Sequence, residues 1–178
     1  MKRCFVRTIG ALLITFAVTA CDDDDDDLAG PGLETQSFTA ALNGANEVPA
    51  NASTATGVAQ IAVVGPTLLF RVDVAGLTNP SAAHIHGPAG VGTNIGVLVN
   101  LCGATGVPAC PTGAPFTGVL AVGTATQVSG ISFDSLQVLL ENGNAYVNVH
   151  TNDGVAPSNT GPGDLSAGEI RGQVTVVP

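Results

Sequence analysis

The chain has no tryptophan, one tyrosine and only five lysine and arginine residues among 178. Its single lysine, Lys2, stands at the start beside Arg3 and Arg7, so later positive charge comes from Arg71 and Arg171 alone. A chain without lysine beyond its leader cannot use Schiff-base or lysine-nucleophile chemistry. Those two arginines face fourteen acids, so nothing could neutralise phosphates and nucleic acid is excluded as a partner. The same balance keeps the surface off anionic lipid headgroups. Without tryptophan, the core has to be built from Val, Leu, Ile, Ala and Phe. Long apolar runs are also missing. Ile9 to Ala20, broken only by Gly10, Thr15 and Thr19, would rise about 18 Å as a helix, well short of the ~30 Å hydrocarbon core. That length suits a secretory h-region rather than a permanent span.

What is present begins with that leader. Lys2, Arg3 and Arg7 form a basic n-region, and the h-region ends in Val18-Thr19-Ala20-Cys21. Small residues directly before a cysteine resemble a lipobox, so residues 1–20 are expected to be a lipoprotein signal peptide and Cys21 the lipidated N-terminus. Two or more acyl chains would give stable anchoring. The expected location is therefore the cell envelope, lipid-anchored to a membrane, with the domain in the periplasm or outside the cell. Asp22 to Asp27 follow, six carboxylates in a row. Mutual repulsion keeps such a run extended, and residues 21–36 read as an acidic flexible tether. The expected mature chain carries a net charge of −12, and residues 37–178 make one domain.

Cys102 and Cys110 lie in a Gly/Pro-rich loop, Leu101 to Pro115. In an exported protein a disulfide is the natural reading, with two soft metal ligands as the other option. The rest reads as short strands bounded by Gly, Pro or Asn: 38–42, 57–64, 68–74, 82–86, 95–101, 116–122, 145–150 and 169–177. Gly65-Pro66 is expected to turn a hairpin. Phe133, Leu136 and Leu140 have helical spacing before Gly143, predicting one short helix over 133–142. The pattern predicts an all-β fold, a Greek-key-like antiparallel β-sandwich of about eight strands with one short helix.

Several motifs then fall in order: Phe38-Thr39-Ala40-Ala41-Leu42-Asn43-Gly44-Ala45-Asn46-Glu47-Val48-Pro49, Gly57-Val58-Ala59, and Ala83-His84-Ile85-His86-Gly87-Pro88-Ala89. Tyr146-Val147-Asn148-Val149-His150-Thr151 and Gly168-Glu169-Ile170-Arg171-Gly172-Gln173-Val174 complete the set. Together they resemble the CHRD (chordin-type) family over residues 38–177. The resemblance implies a secreted binding or interaction module for an unknown protein or small ligand. After His150 the chain departs from the commoner pattern, with a Gly/Pro/Ser/Asn-rich loop, Asp153 to Ser166.

All three histidines, His84, His86 and His150, fall in these motifs. Strand alternation puts His84 and His86 on one face, and Tyr146, Asn148 and His150 on one face of a later strand. The closing strand puts Glu169, Arg171 and Gln173 on one polar face and Ile170, Gly172 and Val174 on the other. Adjacent strands would then gather three imidazoles, a carboxylate and a guanidinium in one polar patch. Such imidazoles suit copper or zinc, with binding expected to weaken as pH falls through the imidazole range near ~6.5. Arg171 would oppose a metal unless Glu169 neutralises it. The same groups could equally form a hydrogen-bond network, with Glu169 and Arg171 as an ion pair.

The layout also resembles copper–zinc superoxide dismutase at fold level, with Ala75-Gly76-Leu77 before the His-x-His strand and Ala167-Gly168 before Arg171. No histidine is left over for that enzyme's bridging ligand, which argues against dismutation. Glu47 and Glu169 could serve as paired carboxylates only if held within about 10 Å. No complete catalytic set is visible, and a non-enzymatic role is expected.

Overall fold

The computed structural model describes residues 35–178. Cys21, the leader and nearly all of the tether lie outside the described residues. The strands are β1 (Gln36–Asn43), β2 (Thr56–Val64), β3 (Thr67–Leu77), β4 (Pro80–His86), β5 (Val97–Cys102), β6 (Phe116–Ala125), β7 (Tyr146–Thr151), β8 (Ile170–Gln173) and β9 (Thr175–Val176). One helix, α1 (Phe133–Glu141), and a 3₁₀ turn, Gly44–Asn46, complete the elements.

Alternation drives the architecture. Phe38, Ala40 and Leu42 of β1, Ala59, Ile61 and Val63 of β2, and Leu68, Phe70 and Val72 of β3 all point inward and are buried. Val147 and Val149 of β7 and Ile85 of β4 do the same. Each fully buried side chain of this size contributes roughly 1.5–3 kcal/mol. All pairings are antiparallel, in the order β5-β4-β7-β8-β1-β2-β3-β6, with β9 beside β1. The sheet curls over a single core until its edges, β5 and β6, approach. There the Ser129 N–H donates to the Leu98 carbonyl at 2.9 Å.

Among the described residues the expected all-β class and one helix are both present. The Ser132 side chain caps α1 by accepting from Ser135 N, and Leu136 and Leu140 bury its inner face. Gly143, at φ 65°, takes the left-handed position that ends it. The β2–β3 hairpin turns at Gly65-Pro66, with Gly65 at φ 54°. Cys102 and Cys110 form a disulfide with Cα atoms 5.0 Å apart.

One expected strand is broken. The closing segment is not continuous from 169 to 177: β8 starts at Ile170, and the Val174 N–H leaves the ladder to donate to Ala145 O at 2.9 Å. Glu169 therefore sits in the turn before β8, following Gly168 at φ 136°.

Candidate metal centre

Three adjacent strands build the site. Their register sets Ala82 opposite His150, His84 opposite Asn148, and His86 opposite Tyr146. On the other side of β7, Asn148 faces Arg171 and Tyr146 faces Gln173. Because alternate residues share a face, the three imidazoles emerge together. One nitrogen from each of His84, His86 and His150 lies within 4.8 Å of the others.

Backbone carbonyls fix two of the tautomers. A carbonyl oxygen only accepts, so His86 Nδ1 donates its proton to Ile95 O at 2.8 Å and His150 Nδ1 donates to Ser166 O at 2.9 Å. Each Nε2 is left with a lone pair. His150 Nε2 lies 3.1 Å from His84 Nδ1, which donates to it when no ion is bound. His86 Nε2 and Asn148 Oδ1 are buried with no hydrogen-bond partner. Two buried acceptors without a donor are costly, and a bridging proton, a water or a cation would satisfy them.

Copper or zinc holds imidazole nitrogen at about 2.0 Å, so ligand nitrogens stand roughly 3.3–3.5 Å apart. The His84–His150 pair is already that close, and a modest contraction would bring in His86. Three protein ligands leave one position open, and the half-burial of His84 and His150 leaves it reachable.

Electrostatics favour the ligand form. Burial first, then the charges of His150 and His86, push His84 down to about 4. Burial also lowers His86 and His150, although their carbonyl bonds pull the other way. All three rings are therefore neutral at pH 7, the state that binds metal.

The rest of the polar patch differs from expectation. Glu169 does not pair with Arg171. Its carboxylate accepts from Ser53 Oγ at 2.7 Å, from the Gly163 N–H at 2.7 Å and from Thr151 Oγ1. Lying in the turn rather than in β8, its direction is set by those three donors and not by strand alternation. Arg171 stays in the patch, 2% exposed, with its guanidinium 3.4 Å over the Tyr146 ring. Tyr146 in turn stacks on His86, with centroids 4.7 Å apart and planes 2° from parallel. Arg171 donates to two neutral oxygens, Asn94 Oδ1 at 2.7 Å and Thr93 O at 2.8 Å.

The carboxylate that does reach this face is Glu47, whose Oε1 accepts from Asn148 Nδ2 at 3.2 Å. Burial pushes Glu47 up to about 7, against the opposing pull of Asn148 and Arg171. A Cβ on Gly168 would come within 2.6 Å of Glu47 Oε1, so only glycine lets the turn close over this pair. The sequence reading missed Glu47 as a member of the patch. The one available signal was an acid standing alone among small residues in the opening motif.

A family model, the CHRD domain, matches residues 38–174, a span holding every strand and side chain of this site. The chain belongs to the CHRD domain family. No curated protein matches it. On the Arg171 side of the patch, this CHRD domain has a cleft of about 260 Å³ lined by Glu47, Val91, Arg171 and Gln173 among others. A larger groove, about 830 Å³, lies elsewhere, along Phe38, Ile61, Leu69, Phe70 and Val122, and no histidine or carboxylate lines it.

Proposed function

We propose that this CHRD domain is a binding module that holds copper or zinc through His84, His86 and His150. The carrying observation is the convergence of three neutral imidazoles, two with their Nε2 lone pairs fixed by carbonyls on the far nitrogen. Outer partners of this kind orient metal-ligating histidines. The role is binding rather than turnover, and the domain is carried on the envelope by a lipid anchor at Cys21.

A second reading is a module for a protein or small ligand, favoured by the cleft between Glu47 and Arg171. Titration calorimetry at neutral pH separates the two. The metal reading expects one ion per domain, lost in His86→Ala. Absence of binding above the micromolar level for Zn²⁺ and for copper in both oxidation states would leave the histidines as a hydrogen-bond network.

A further inference from the structure

The ligand set carries no negative charge, and its surroundings carry a fixed positive one. His84, His86 and His150 are neutral ligands. Arg171 is buried one aromatic ring away from His86, across Tyr146. The residue that could have cancelled it, Glu169, is held by Ser53, Gly163 and Thr151. Arg171 instead spends its hydrogen bonds on the neutral oxygens of Asn94 and Thr93. Glu47 offers partial compensation through Asn148, but burial works against its charge.

A bound ion feels this in proportion to its own charge. Repulsion from the guanidinium doubles from a monovalent to a divalent ion, and the cost of leaving water grows faster still. Imidazole suits copper, and Cu⁺ is the monovalent form of a metal these ligands accept. On the reading of the three histidines as a metal site, we propose that the centre selects Cu⁺ over Zn²⁺ and Cu²⁺, with Arg171 as the residue that sets the preference.

One unit of charge acting over about 8 Å at an effective dielectric of 20 amounts to roughly a tenfold to hundredfold change in affinity. Arg171→Gln should therefore raise Cu⁺ affinity by roughly that factor and Zn²⁺ affinity by about its square. Glu47→Gln keeps an acceptor for Asn148 but removes the compensating charge, so at pH 8 it should weaken Zn²⁺ more than Cu⁺.

The test is anaerobic competition of the purified described domain, residues 35–178, against chromogenic chelators for Cu⁺ and for Zn²⁺. Wild type, Arg171→Gln and Glu47→Gln are compared, with circular dichroism confirming that each is folded. Tighter Cu⁺ binding in wild type, with the Cu⁺-to-Zn²⁺ ratio falling in Arg171→Gln and rising in Glu47→Gln, supports the proposal. If Arg171→Gln does not fold, the wild-type preference and the Glu47→Gln ratio decide. Metal binding with Zn²⁺ equal or preferred, or with a ratio unmoved by the variants, overturns the selectivity and leaves the site standing. No binding of any ion removes the site itself.

Discussion

His86 is the histidine whose second nitrogen has nowhere else to go. Its Nδ1 proton is committed to Ile95 O, and its Nε2 is buried without a partner. His86→Ala should lower metal affinity at least tenfold, whereas an exposed control such as Gln127→Ala should leave it unchanged. Calorimetry on both variants checks this. The two residues with the largest resolved shifts pull stability in opposite directions as pH changes. His84 titrates at about 4 folded against 6.5 in its ordinary state. The stability it contributes is complete above about 6.5 and drains away as pH falls toward about 4. Glu47 stands at about 7 folded against 4.5 ordinarily, so its burden on the fold grows as pH rises from 4.5 and is complete above 7. The metal-free Glu47→Gln domain should therefore outlast wild type at pH 8 by on the order of 1–3 kcal/mol, and lose most of that advantage at pH 5. Urea denaturation at both values measures it; an equal advantage at each would contradict the assignment. These shifts also place proton competition for the metal below the ordinary imidazole range expected from sequence.

Among the elements, the disulfide closes the end of β5, where Cys102 pairs with Ala83, next to the histidines of β4. Thiol titration of the unfolded, unreduced mature domain should find neither Cys102 nor Cys110 free. Opening the ring should cost about 2–3 kcal/mol by the loop-entropy estimate, read as a lower melting temperature on reduction; two titratable thiols would refute the pairing. The strands were legible because they are short runs of β-branched and apolar residues bounded by Gly, Pro or Asn, and alternation along β4 and β7 placed His84, His86 and His150 on shared faces. The helix was legible from Leu136 and Leu140 and from the stop at Gly143. Glu169 was not legible. Its direction depends on a break at Gly168 and on donors that include Ser53, more than a hundred residues away in sequence. Strand order was equally hidden, since β8 reaches the patch by pairing with β7 on one side and β1 on the other.

For the whole molecule, no helix among the described residues is long and apolar enough to cross a membrane. Membrane attachment is proposed to rest on Cys21. Cys21→Ala should abolish lipidation and release the protein from membranes on fractionation after a salt wash; a variant still sedimenting with membranes would refute the anchor. The curl of the sheet bears on what happens when many such domains are crowded together. A flat sheet of this width would offer two rows of unpaired amides, each a template on which another chain could add a strand and start an aggregate. Here β5 and β6 approach one another, and Ser129, just past the end of β6, donates to Leu98 O of β5. One carbonyl of the β5 edge is thus already engaged within the chain, and the closeness of the two edges leaves a neighbouring copy less open border on which to add a strand.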